Sequence, residues 1–422
     1  MKPRERVLKA INHEVPDRVP LDFGGTAVTG MAATVVWKLR RALGLDAENV
    51  PVKLAEPYWM LGEIGDDLRQ VLGIDTVPLG SRMNTFGFQN KDWKPWRLFD
   101  GTPVLVPGLF NTEADESGNI LQYPQGDRTV PPSARMPKGG FYFDPIYRQP
   151  PIDENALDPK DNIEEFSLLG ELTLENLRRQ AEHLHGDTDY AVVGGCAGTA
   201  FGSLTGIAGI PLKHPKGIRS LEEWFTSLVL RKGYVYEVFE RECEIAMRNL
   251  ELLRQAVQDN MDIAAITGTD FGSQRGPLIS PATYRELYKP FYKRVNDWIH
   301  SHTKWKTFMH SCGAVEPFID DFIDAGFDIL NPVQCLAAGM EPGNLKKKYG
   351  DRITFWGGGV NTQRTLPFGT AEEVRREVRE RIETFSHGGG FVFSGIHNVL
   401  AESPVENVLA MLETVRGVPF SS

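Results

Sequence analysis

Phe308-Met309-His310-Ser311-Cys312-Gly313 places an imidazole and a thiol two residues apart at the end of an apolar run. On a strand, alternate side chains leave the same face, so His310 and Cys312 stand side by side where the strand stops. A nitrogen and a sulfur held in that posture suit a borderline cation such as Zn²⁺, and Gly313 suits a ligand loop. The alternative is a buried structural pair. Cys335 and His397 also qualify as ligands. Cys335 reads equally as a small buried hydrophobe, and His397 as a hydrogen-bonder to substrate. Cys196 and Cys243 read as packing residues.

Asp270, in Gly268-Thr269-Asp270-Phe271-Gly272-Ser273-Gln274, is the best placed carboxylate. It suits orienting a ligand histidine or moving a proton, or else capping a turn. Asp22, before Gly24-Gly25, carries the same alternatives. Asp270, Gln274 and Asp22 are the candidate catalytic residues. Gly24, Gly25, Gln334 and Asn361 are candidates for contacting substrate, the glycines because backbone there can approach a ligand closely.

The elements that must position these groups alternate. Ala191–Gly195, Asp262–Ile266, Lys306–Met309, Phe327–Leu330, Ile353–Trp356 and Phe391–Phe393 read as short buried strands. Helix-length segments separate them: 172–185, 220–228, 233–259, 280–301, 315–325, 342–349 and 371–385. Ser220…Glu223, Thr370…Glu373 and Ser403…Glu406 read as capping boxes. Earlier, Val19–Phe23 and Gly73–Val77 read as strands, and Met31–Leu43 as a helix. Strands joined by helical crossovers predict parallel pairing. No strand is followed by GxGxxG, and Gly25–Gly30 lacks the lysine of a phosphate loop. A (β/α)₈ TIM barrel over residues 1–422 is therefore expected, with the polar and glycine residues named above at the C-terminal strand ends, where such barrels carry their sites. Residues 87–159 break the rhythm. They are rich in proline, glycine and aromatics, and read as an insertion over one mouth of the barrel, either anchored by its own aromatics or acting as a lid.

Lys plus Arg number 46 and Asp plus Glu 56, a formal charge of −10, and no basic block stands out, which disfavours nucleic acid and anionic membranes as partners. No apolar run reaches spanning length and no secretory signal is evident. Four cysteines in 422 residues do not read as a disulfide framework and fit a reducing cytoplasm.

Four stretches carry a resemblance. Phe308–Gly313, Asn331-Pro-Val-Gln-Cys335 with Gly339-Met340, Trp356-Gly-Gly-Gly-Val-Asn361, and Phe393-Ser-Gly-Ile-His397-Asn with Ser403–Asn407 are similar to the uroporphyrinogen decarboxylase superfamily. The similarity covers most of Met1–Leu79 and Ala191–Arg416, and implies a single (β/α)₈ barrel. Decarboxylases of that superfamily hold substrate carboxylates with an arginine-rich opening segment, where this chain has Leu21-Asp-Phe-Gly-Gly-Thr26. Their pyrrole-binding aspartate corresponds to a place near Ser81-Arg82. Octa-acid binding without those arginines is hard to arrange.

The cobalamin-dependent methyltransferase branch carries His-x-Cys, which His310 and Cys312 match, and a further cysteine whose place falls at or near His397. Cys335 lies near where that branch supplies an acidic ligand. The resemblance implies Zn²⁺ held by His310 and Cys312, with Cys335 and His397 completing the site. It also implies methyl transfer between a small methylated compound or thiol and a corrinoid carried by a corrinoid-binding partner protein. A metal-free enzyme acting on a tetrapyrrole, and a non-catalytic metal or corrinoid accessory protein, are the alternatives.

Overall fold

The computed structural model describes residues 1–47, 49–80 and 83–420. Seven parallel strands form its central sheet: β1 (Thr76–Leu79), β2 (Ala191–Gly195), β3 (Ile263–Thr267), β4 (Lys306–His310), β5 (Ile329–Asn331), β6 (Thr354–Trp356) and β7 (Phe391–Val392). They pair in chain order, each with the next. Helices follow the strands as crossovers, among them Glu171–Gly186, Lys232–Val257 and Ala371–Phe385. The last is opened by the reciprocal Thr370–Glu373 capping box.

The eighth position differs from the expected strand Val19–Phe23. Only Leu21 forms a parallel bridge, to Phe393. Asp22 N donates to Phe393 O at 2.9 Å, and Asp75 N donates to Leu21 O at 2.8 Å. One residue thus joins the β7 edge to the β1 edge and closes the sheet on itself. Pro20 has no N–H to donate, and Gly24 takes φ +84°, so proline and glycine confine the pairing to a single step.

The N-terminal helix Pro3–Ile11 plugs the barrel. Its Val7, Ala10 and Ile11 pack with Ala191, Val193, Ile263, Phe308, Ile329, Trp356 and Val392 in one buried cluster. Arg6 and Arg18 hold the buried Asp75 carboxylate at 2.5 and 2.7 Å, and that carboxylate also accepts from Leu21 N at 2.8 Å. One ion network therefore ties the plug, the closing residue and β1, and leaves the opposite end for chemistry.

Residues 94–97 and 103–106 extend a four-stranded sheet with Val52–Glu56 and Leu61–Gly62. Thr112–Ala114, Ile120–Gln122, Ala134–Met136 and Asp144–Pro145 make a second sheet, its first hairpin turning through Asp115–Gly118. Phe86, Phe110 and Phe143 pack edge to face between these layers, at 5.4 to 6.4 Å.

Two local expectations are corrected. The helix expected to run unbroken from residue 280 contains a π-helical segment at Tyr284–Tyr288 before continuing as Lys289–His302. Ser403 does not cap the last helix, Val405–Arg416, whose N-cap is Pro404; the Ser403 hydroxyl is buried without a partner.

Candidate metal centre

His310 ends β4 and faces Asn331, the last residue of β5, in direct register. Its Nδ1 lies 2.6 Å from Asn331 Oδ1, while Asn331 Nδ2 donates to Trp356 O at 2.9 Å. The second bond fixes the Asn331 amide with its oxygen toward the ring. His310 must then carry its proton on Nδ1 and present a lone pair on Nε2. That Nε2 lies 3.4 Å from Cys312 Sγ.

His397 arrives from the far edge of the sheet, in the loop after β7. Ile396 N donates to Val360 O at 3.1 Å and Val399 N to Gly30 O at 3.0 Å, which pins the loop. Its ring centroid is 5.3 Å from that of His310. The ligand atoms of His310, Cys312 and His397 all lie within 4.8 Å of one another. Asn398 N donates to His397 Nδ1 at 2.8 Å, so the neutral His397 ring carries its proton on Nε2. A cation taken by His397 would have to displace either that proton or the amide.

Two glycines bring Asp270 to this cluster. A Cβ on Gly313, at φ +86°, would stand 2.3 Å from Gly272 C and O, and one on Gly272 would stand 2.6 Å from Ala314 N. Only bare backbones pass this closely. The crossing lets Asp270 Oδ1 accept from Cys312 N at 2.7 Å, with His310 Nε2 4.0 Å away.

Burial decides the charge state. It pushes both His310 and His397 down to about 4, so both rings are neutral near pH 7. Burial raises Cys312 well above the usual thiol range, and Asp270 raises it further. Burial also raises Asp270. Two neutral nitrogens and a protonated sulfur, with His310 buried, Cys312 and His397 half-buried and a half-buried carboxylate beside them, fit a borderline divalent cation. Such an ion takes imidazole nitrogen and thiolate sulfur and supplies the charge that lets the thiol lose its proton.

The other expected residues have different surroundings. Cys335 is not part of the three-donor cluster; its thiol faces Val333 O at 3.4 Å and Gly358 O at 3.7 Å, and burial pushes it up to about 11. Asp22 is wholly buried and accepts from Thr76 Oγ1 at 2.6 Å, Gly25 N at 2.9 Å and Trp356 Nε1 at 2.8 Å. A side chain on Gly25 would strike Asp22 Oδ1; that glycine and the left-handed Gly24 shape the turn around the carboxylate. Asn361 Oδ1 accepts from Gln363 N and Arg364 N at 2.8 and 3.1 Å. Gln274 Nε2 and Gln334 Oε1 meet at 3.4 Å.

Reading along the chain missed three features. Asn331 orients His310 through cross-strand register, which spacing alone does not reveal. Trp59 stands 6.5 Å from the His397 ring and 6.3 Å from Tyr142, so one aromatic of residues 87–159 reaches the centre through an intermediary. A cavity of about 490 Å³ is lined by His310 and by Leu79, Leu177, Leu253, Ile266 and Phe308, with Thr26-Ala27-Val28 on its wall.

Comparison with known proteins bears on this site. Residues 237–418 match the family model of uroporphyrinogen decarboxylase (URO-D), a span that includes His310, Cys312 and His397. That matched span is somewhat under half of the chain. A methylcobamide:CoM methyltransferase, MtaA, from Methanosarcina barkeri (strain Fusaro) is 26% identical over 135 residues, 32% of this chain and 36% of that protein. A uroporphyrinogen decarboxylase from Methylococcus capsulatus is 31% identical over 98 residues, 23% of this chain and 26% of that protein. The alignments thus span about a third or less of these relatives' length. A methyltransferase from Methanosarcina mazei shares the fold, with a TM-score of 0.53 over 99% of both chains at 17% identity. The span that matches the URO-D model thus lies within a chain whose fold is similar to that structure over its whole length. Ser81 and Arg82, the place compared with the decarboxylases' pyrrole-binding aspartate, lie outside the described residues. No helix among the described residues is long and apolar enough to cross a membrane.

Proposed function

We propose that this chain is a methyltransferase that moves a methyl group between a small substrate and a corrinoid held by a separate protein, using zinc bound by His310, Cys312 and His397. One observation supports it above the others: three nitrogen and sulfur donors lie within 4.8 Å of one another at the strand ends, and one of them lines a cavity. The MtaA similarity, weak and partial, agrees in reaction class.

Bound there, zinc would supply Lewis acidity, holding a thiol as its thiolate or polarising the heteroatom that bears the methyl group. The chain's own residues do the rest. Asn331 keeps the His310 Nε2 lone pair aimed inward. Asp270 holds the Cys312 loop by its backbone N–H and, with its raised affinity for a proton, is placed to take or return one beside the reacting heteroatom. Gln274 and Gln334 are assigned to substrate positioning. Residues 87–159, reaching His397 through Tyr142 and Trp59, are read as a cover that limits water. Asp22, Gly24, Gly25 and Asn361 are assigned to the framework, because their polar groups are already engaged or their side chains excluded. Cys335 is left outside the ligand set.

The tetrapyrrole alternative has less support. No basic side chain lines the cavity among the described residues, whereas an octa-acid substrate needs several. The deciding experiment incubates the purified chain with methylcobalamin and a panel of thiols, and with Co(I) cobalamin and a panel of methyl ethers, thioethers and amines. The absorbance change of cobalamin demethylation or methylation should require the chain and disappear in Cys312→Ser. Decarboxylation of uroporphyrinogen with no cobalamin turnover would overturn the proposal.

A further inference from the structure

The cavity beside His310 bears on what enters it. Leu79, Leu177, Leu253, Ile266 and Phe308 give it an apolar wall, and no Lys, Arg, Asp or Glu lines it among the described residues. Two of its three threonine hydroxyls, those of Thr26 and Thr267, are committed, and Thr173 supplies the third. Thr267 Oγ1 bonds Thr269 Oγ1 at 2.9 Å and Tyr292 Oη at 3.0 Å, and Thr26 Oγ1 pairs with Thr29 Oγ1 at 3.2 Å. Its volume of about 490 Å³ falls within the usual range for small-molecule sites. A cavity of roughly 150 Å³ already holds benzene, so a substituted ring or a branched chain fits with room to spare.

We infer that the substrate is an uncharged compound with an apolar body, lodged against Leu177, Leu253 and Phe308 with its methyl-bearing or thiol end toward His310. Anionic thiols and carboxylated ethers are disfavoured, because an anion against this apolar wall is partly dehydrated and meets no cationic side chain among the described lining residues. The inference rests on the proposed function, in that His310 marks the reacting end.

Calorimetric binding to the purified full chain tests it, with two matched pairs: methoxybenzene against para-methoxybenzoate, and propanethiol against mercaptoethanesulfonate. The neutral member of each pair should bind at least about tenfold more tightly. Ala27→Lys adds a cation at an exposed position on the cavity wall. It should tighten the two anions by about fivefold and change the neutral compounds less than about twofold. Arg82, the cation nearest in sequence to the wall residue Gly80, provides a second variant: Arg82→Ala should leave the preference unchanged. Anions bound as well as or better than their neutral partners, neutral members that fail to bind, a preference that appears only in Arg82→Ala, or no gain for anions in a folded Ala27→Lys would each overturn the inference. Binding is read without methyl transfer, so the two ideas fail separately. Neutral preference without any transfer removes the proposed function alone, and anionic preference in an active enzyme removes this inference alone.

Discussion

His310 and Asn331 face each other across β4 and β5, 2.6 Å from Nδ1 to Oδ1, and the Asn331 amide is itself anchored on Trp356 O. This pair fixes which nitrogen of His310 is offered to a cation. Losing such an outer partner commonly weakens a metal by about 10- to 100-fold. Asn331→Ala should therefore retain the fold and lower zinc affinity by about that factor, read by competition with a chromophoric chelator. Unchanged affinity would show that the register pair does not orient the ligand.

The crossing of Gly272 and Gly313 leaves no space for a methyl group. Gly313→Ala should cost about 2–3 kcal/mol or more, from a left-handed backbone and a backbone clash together. Thermal unfolding should shift down, and zinc affinity should fall because the Asp270–Cys312 contact is lost. A variant with wild-type stability and affinity would contradict the close approach.

His310 and His397 make the metal-free protein acid-sensitive. His310 is pushed down to about 4 in the fold, against roughly 6.5 in an unfolded chain. The unfolded state therefore binds the extra proton first as pH falls. Stability is full above about pH 6.5, falls between there and about pH 4, and levels off below, by about 3 kcal/mol for His310. His397 adds a loss of the same sign. Chemical denaturation in chelator across this range checks it. In the double variant His310→Ala/His397→Ala the dependence should flatten.

Trp59 stands 6.5 Å from the His397 ring. Zinc addition to metal-free protein should change tryptophan emission, and Trp59→Phe should remove most of that change while leaving zinc stoichiometry intact. An undiminished signal in the variant would place the cation elsewhere.

Much of the barrel was legible because its signals are local. Ala191–Gly195 and Ala371–Phe385 have the bounds that apolar run and capping box indicated. Val19–Phe23 was not, since Pro20 and Gly24 limit its pairing to Leu21 whatever its apolar content. Spacing brought His310 and Cys312 together, and they do meet at 3.4 Å, but β4 ends at His310, so it is the loop held by Asp270 and the Gly272–Gly313 crossing, not strand periodicity, that sets the thiol there. Spacing did not separate Cys335 from them: both cysteines follow strand ends, yet the loop after β5 turns one thiol onto the Val333 and Gly358 carbonyls. Asn331 shows the same limit from the other side. Its role comes from a neighbour 21 positions away, which only strand register brings close.

The most direct test is zinc content. Full-length protein purified without added chelator and dialysed against metal-free buffer should contain about one zinc per chain by plasma mass spectrometry. Cys312→Ser and His397→Ala should each lose most of it, while Cys335→Ser should keep it. A wild-type chain without zinc, or Cys312→Ser and His397→Ala variants that hold as much as wild type, would contradict a metal centre at His310, Cys312 and His397.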